Sequence, residues 1–509
     1  MIICLADLLQ MIFKRLSSFF IPAIADVLFL FILLLLAIFQ GNSLLHDGDT
    51  GYHIRTGEYI IETWSVPHHD IFSFHTPPIP WTAHEWLSEV IMAILHQCFG
   101  LTGVVVFFSC LIASIYYLIF RQLRKDDGNI FIVIIIVILV FATSHLHWLA
   151  RPHIFSLLLL VIWYRILDDY EYCGISKFYV LPPLMILWVN LHGGYITGII
   201  LLGIYCTGNL FRCWQQDPAA RAAAFTRFRH YFVYLFGCLA VTLINPYGYR
   251  ILLFPLKLVG NKFLMDHVNE FLSPNFHETI IFKYLLMLTI AILALSSKRL
   301  NFIELLLVIF FTNMALYSIR HVTLFAIVVA PIILKRANEL VVQTDDFLVQ
   351  VFRQRAAGIA VIDASARGFF WPLAGVAMVL VLAAHGAIKF NFDESIHPVA
   401  AVEFLKQQKI QGKIFSSDGF GDYIIYAAWP EYSVFIDGRS DMYGEGIAKE
   451  YYKIIRCEPG WEKVLDKYNI DLIMYEASSI LSYYLAKNNE WGLVFSDKVA
   501  HIYVRNALR

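Results

Sequence analysis

Charge is scarce in this sequence. Only 16% of its 509 residues are Asp, Glu, Lys or Arg, and they nearly cancel to a net charge of −1. Its Lys and Arg are scattered through short loops, so there is no basic stripe for a nucleic acid to bind. Paired cysteines are missing as well: the 8 Cys form no C-x-x-C. Cys4, Cys98, Cys110, Cys173, Cys206, Cys213 and Cys238 are dispersed through the apolar part and its loops, which excludes a zinc knuckle and a disulfide framework. No H-E-x-x-H occurs, and no Gly-rich phosphate loop follows a strand, D-G-F-G-D at 418–422 being too short and irregular. Lys14 and Arg15 precede an apolar run as in a signal peptide, but the run is too long and no small-x-small cleavage site follows it. It reads as an uncleaved anchor.

What the chain has is hydrophobicity, 59% of its residues and a mean hydropathy of +0.63, the signature of a polytopic membrane protein. Apolar runs near 20–40, 101–120, 130–149, 153–167, 178–191, 194–211, 231–244, 280–296, 301–318, 322–334 and 369–387 predict about eleven transmembrane helices. Pro182-Pro183 and Gly193-Gly194 mark broken helices that face protein or water. A cytoplasmic N-terminus places most loop cations inside, Lys14, Arg15 and Arg367 among them. It leaves only Arg55, Arg151, Arg250, Lys257, Lys262, Lys283 and Arg320 outside, which obeys the positive-inside rule.

With that orientation the outside loops are 41–100, 151–153, 190–195, 245–276 and 318–321, and isolated Arg, His, Asn and acidic residues sit in them beside Pro and Gly. The chemistry is on one face. From about 391 strand-like and helical segments alternate with turns, predicting a soluble α/β domain over 391–509, with Cys457 as its one cysteine. An odd number of spans puts that domain outside, after a membrane domain over 1–390 with a large first outer loop, 41–100.

The densest stretch is D-G-D-T-G-Y-H-I-R-T-G-E-Y-I at 47–60, directly after the first apolar run. Read as a helix over 50–62 it places His53, Gly57, Ile60 and Ile61 on one face, with Asp49 at the N-cap. Capping alone leaves unexplained why so many ionisable groups gather at a membrane face. His84 and Glu85 close the loop, with Trp81 and Trp86 as headgroup anchors. Arg151, Arg320 and His321 read as a cationic cradle for a phosphate, although a single Arg at a span end also suits snorkelling. His153 and Glu270 lie in the same outer loops. Asn190, His192 and Asn245 serve equally as helix caps or span breakers and are second-tier candidates. Asp47, Asp49 and Asp70, with His53 and Glu85, offer hard donors for Mg²⁺ or Mn²⁺.

Asp49, His53, Arg55 and Tyr59 together resemble the first-loop signature of GT-C fold glycosyltransferases, in particular the catalytic subunit of oligosaccharyltransferases. H-E-W-L-S-E-V at 84–90 stands where protein O-mannosyltransferases and lipid A aminoarabinose transferases carry His-Pro-Pro or Lys-Pro-Pro. The wider pattern, with A-R-P-H-I-F, N-L-H-G-G-Y, N-P-Y-G and a C-terminal V-F-I-D-G-R-S-D-M-Y-G, is similar to a group of bacterial GT-C-like membrane proteins. The Pro-Pro after Glu85 and the oligosaccharyltransferase Trp-Trp-Asp are both absent.

The resemblance implies an inverting transfer of a sugar from a polyprenyl-phosphate donor to a lipid, glycan or protein acceptor, on the periplasmic side of a bacterial inner membrane. In that chemistry a carboxylate takes the acceptor proton while the lipid phosphate leaves toward cations. Asp49 and Glu85 are the catalytic candidates. His53, Arg55, His84, Arg151, His153, Asn190, His192, Asn245, Glu270, Arg320 and His321 are the substrate-binding candidates. A flippase of lipid-linked saccharides, or a non-catalytic envelope assembly protein, is the competing expectation.

Overall fold

The computed structural model describes residues 19–125, 129–214, 217–366 and 370–506. Lys14, Arg15, Cys4 and Arg367, which entered the topology and cysteine readings, lie outside them. The chain is mostly helical, with one small sheet near its C-terminus.

Each of the eleven apolar runs contains a helix, from Ile24–Leu34 to Phe370–Ala384. Length and composition fit a membrane crossing for two among the described residues, Trp86–Lys125 and Ile130–His147. The pair Phe347–Ser365 and Phe370–Ala384 adds a third if counted as one span. Other apolar helices, such as Ile281–Leu295 and Phe302–Tyr317, are shorter. The 40-residue helix Trp86–Lys125 turns at Gly100, where φ is 62° and an L side chain would be strained. Its first limb closes the outer loop, and its second is the apolar run 101–120.

The segment 41–100 contains the helix Asp49–Thr63, which is clasped on two sides. On one it lies against Trp86–Lys125 so closely that a Cβ at Gly57 would come 1.9 Å from the Glu89 carbonyl oxygen. On the other it meets the C-terminal helix Asp418–Ala428, where a Cβ at Gly51 would lie 2.7 Å from the Tyr426 side chain. These two glycines let three backbones share one small volume.

The sheet runs β1 (Ile414–Ser416), β2 (Leu472–Glu476), β4 (Ala500–Arg505), β3 (Trp491–Ser496) in spatial order. β1 and β2 are parallel, in the register Ile414 to Leu472, and the remaining pairs are antiparallel. The segment Tyr432–Ser440, which reads as strand-like, instead makes isolated bridges from Val434 to Ser73 of the outer loop and to Ile414. A loop residue therefore joins the edge of the C-terminal module, and the two are stitched together. Among the described residues the cysteines are free.

Candidate functional site

Asp49 is not the N-cap of its helix. Gly48 holds that position, and the Asp49 N–H donates to Asp47 Oδ1 at 3.1 Å. Relieved of capping, the buried Asp49 side chain turns to Arg151, with Oδ2 2.5 Å from Nη2. Arg151 Nη1 also donates to Asp47 Oδ2 at 2.6 Å and to Glu270 Oε1 at 2.8 Å. The other Glu270 oxygen lies 3.8 Å from Arg320, whose guanidinium rests on the Phe271 ring. The A-R-P turn is held in place by backbone: the Ala150 N–H donates to Leu44 O at 2.8 Å, and its carbonyl accepts the Thr50 hydroxyl at 3.2 Å. Arg151 and Arg320 hold the Glu270 carboxyl below the usual range.

The C-terminal module supplies the rest of this centre. Asp422 stands beside Asp49 and accepts the Gly438 N–H at 2.9 Å. One oxygen from each of Asp47, Asp49 and Asp422 lies within 4.8 Å of the others. Burial drives both the Asp49 and the Asp422 carboxyls well above the ordinary range, and neighbouring carboxylates add to it; Arg151 opposes this at Asp49. A Cβ at Gly438 would meet Asp49 Oδ1 at 2.1 Å and Asp422 Oδ2 at 2.9 Å. The three hard oxygen donors suit a Mg²⁺ or Mn²⁺ ion. The third carboxylate is Asp422 and not Asp70, which instead accepts from Arg439 at 2.7 Å.

Arg439 is buried and bound by Asp437 through two nitrogens, at 2.8 and 2.6 Å. Its guanidinium lies 4.5 Å from the Trp81 ring and 4.9 Å from the Phe72 ring. Trp81 is thus a buried wall of this cage and not a headgroup anchor. Trp86 donates from Nε1 to Asn190 at 2.8 Å.

Glu85 collects histidines. His192 Nε2 lies 3.2 Å from its Oε1, and the Nε2 atoms of His53 and His84 each lie 3.7 Å from a Glu85 oxygen. Because His192 Nδ1 accepts the Gly194 N–H at 2.9 Å, its Nε2 carries the proton given to Glu85. Burial raises the Glu85 carboxyl and pushes His53 well down, so His53 is neutral.

A cavity of about 660 Å³ opens beside both groups. Its polar end is lined by His84, Arg151, His153, His192, Glu270, Arg320 and His321, all named by the sequence. Its walls are apolar, with Leu157, Leu160, Ile196, Phe254, Leu256 and Phe311. His321 is no cation at neutral pH: burial, with the Arg320 charge, pushes it down to about 4. His153 donates to the His147 carbonyl at 2.7 Å.

Other candidates are turned elsewhere. Arg55 donates to Tyr426 O at 2.7 Å and to Glu58 at 2.6 Å, bolting the loop helix to the C-terminal module. Asn190 donates to the Ile186 and Ile244 carbonyls at 2.7 and 2.9 Å. Asn245 closes a turn, donating to Thr242 O at 2.6 Å and accepting the Tyr247 N–H at 2.7 Å. His53 stays behind Glu85, away from the cavity lining. Asp422, Gly438 and Arg439 went unpredicted. Their signal was the unusual density of Asp and Gly in D-G-F-G-D and I-D-G-R-S-D.

A helical body, a loop helix carrying a buried carboxylate onto an arginine, and a C-terminal module closing over both make up a fold shared with solved archaeal oligosaccharyltransferases. The chain is similar to the apo oligosaccharyltransferase of Archaeoglobus fulgidus, with a TM-score of 0.57 and 13% identity over 95% of this chain and 74% of that one. It is also similar to the archaeal oligosaccharyltransferase AglB of that organism in complex with an inhibitory peptide and a dolichol-phosphate, with a TM-score of 0.52 and 12% identity over the same shares. No family model and no curated protein matches the sequence. At such identity the likeness is one of fold.

Proposed function

We propose that this chain is a membrane glycosyltransferase that moves a sugar from a polyprenyl-phosphate donor to an acceptor at the periplasmic face of a bacterial inner membrane. The observation that carries the reading is Arg151, which lines the polar end of an apolar-walled cavity with Glu270 and Arg320 and holds the buried Asp49 carboxylate behind that lining. The walls suit a lipid tail and the guanidiniums a phosphate. Asp49 acts as the general base, its raised carboxyl moved toward the operating pH, where such a base works best. Arg151 orients that base, and Arg320, the looser of the two cations, receives the charge of the departing phosphate. Glu85, held by His192 behind the cavity lining, is a second acid–base group. A divalent ion, Mg²⁺ or Mn²⁺, held by Asp47, Asp49 and Asp422 would supply charge for donor and acceptor oxygens.

The same reading takes the eleven helical runs as spans, with residues 1–390 as the membrane domain and 391–509 as a periplasmic domain. The acceptor is a lipid, a glycan or a protein; the inhibitory peptide and dolichol-phosphate of the AglB complex are in keeping with a peptide and a lipid carrier. A flippase would need charged groups midway along its spans. The gathering of polar groups at one end of the cavity supports the enzyme instead, and an assembly protein would have no use for so enclosed a pair of carboxylates.

The test is mass spectrometry of lipid and protein glycans in a deletion strain complemented with Asp49→Asn or Arg320→Ala. Both are expected to abolish the modification with the protein still folded in the membrane. Unchanged glycans in Asp49→Asn cells would overturn the proposal.

A further inference from the structure

Beside Glu85 stand two buried groups, His53 and Glu89, that the proposed transfer leaves unused. His53 and Glu89 are both 1% exposed. His53 Nδ1 is 3.1 Å from Glu89 Oε1, and its Nε2 is 3.7 Å from Glu85 Oε2. One donor atom from each of His53, Glu85 and Glu89 lies within 4.8 Å of the others. Donor atoms around an ion with bonds of roughly 2.0–2.2 Å sit about 3–4 Å apart; the Nε2–Glu85 separation falls in that range, while Nδ1 is held by Glu89 Oε1 in a hydrogen bond.

No Lys or Arg pairs with Glu85 or Glu89 among the described residues; their partners are histidines. Glu89 Oε2 is buried with no hydrogen-bond partner at all, an arrangement that is costly unless something binds it. The carboxylate comes from the first turn of Trp86–Lys125 and the imidazole from the second turn of Asp49–Thr63. The Gly57 contact presses these two helices together beside them.

We infer that His53, Glu85 and Glu89 form a buried binding site for a divalent transition metal of the zinc class, separate from the Asp47–Asp49–Asp422 centre. One imidazole with two carboxylates suits Zn²⁺ better than Mg²⁺ or Ca²⁺, which take all-oxygen shells. The ion pins the loop helix to the opening of the long span and fixes Glu85, whose other oxygen faces His192 at the cavity. The site differs in chemistry from the all-carboxylate one, so the two are separable by metal and by ligand spectrum.

The full chain, purified in detergent, is equilibrated with Zn²⁺ and freed of loosely held metal on a chelating resin. Wild type is expected to retain about one zinc per chain by elemental analysis. His53→Gln and Glu89→Gln are expected to retain less by a factor of about ten or more, whereas Asp422→Asn keeps the wild-type amount. The zinc X-ray absorption spectrum of the wild type should show a single imidazole among oxygen donors. Absence of retained zinc in the wild type, equal retention by all variants, or a spectrum lacking imidazole scattering would each refute the site. Should the two Gln variants fail to fold, the wild-type spectrum alone decides between these outcomes.

Discussion

Gly438 occupies a position where no side chain fits, between the two carboxylates that face each other across the candidate centre. Its use is close approach: the backbone N–H reaches Asp422 while Asp49 stays on Arg151. Gly438→Ala is therefore expected to displace Asp49 and lower transfer in an activity assay by about 100-fold, as misplacements near 1 Å do, with the yield of folded protein by size exclusion unchanged. His321 gives a pH prediction. Its folded-state pKa, pushed from 6.5 to about 4, lies below the unfolded one, so the folded state binds fewer protons in that window. Stability present above pH 6.5 is lost as pH falls toward 4, and the melting temperature should drop across that interval. His321→Asn should remove part of the drop. The cavity residues were legible because isolated polar side chains at span ends have few structural uses. Arg55, Asn190 and Asn245 have such uses, since the donors that suit a ligand also suit exposed carbonyls, and only the backbone around them tells the two apart.

At the scale of elements, hydrophobic runs mark helices reliably: every apolar run contains one, and the loop helix begins within a residue of its expected start. What patterning does not give is contact across the chain. Arg439 and Asp70 are separated by 369 positions, and no periodicity in either segment announces the other. Tyr432–Ser440 alternates like a strand yet is consumed by turns and by the bridge to Ser73, because its acidic and basic side chains are spent on the Asp437–Arg439–Asp70 knot. This knot joins the outer loop to the C-terminal module. Arg439→Ala leaves Asp437 and Asp70 buried without their cation and is expected to cost about 3–5 kcal/mol. The loss would be read as earlier melting and faster proteolysis at the loop. Arg439→Lys should not restore it, since an ammonium cannot bind two carboxylates in the guanidinium's flat fork or stack on Trp81 in the same way.

For the molecule as a whole, the proposed orientation puts the C-terminal module and the cavity's polar end on the same side of the bilayer. A single-cysteine chain bearing Glu445→Cys, at an exposed position, should react with an impermeant maleimide in intact spheroplasts. A single-cysteine chain retaining exposed Cys173 should react only after the membrane is opened. The reverse pattern would invert the topology. The seam between loop and module also bears on how such a protein is made. Because Asp49 is synthesised well before Asp422 and Gly438, a nascent chain that has not reached them holds only part of the proposed pocket. A product stalled before the helix Asp418–Ala428 would lack those partners of Asp49 and, under the proposed function, would be chemically silent.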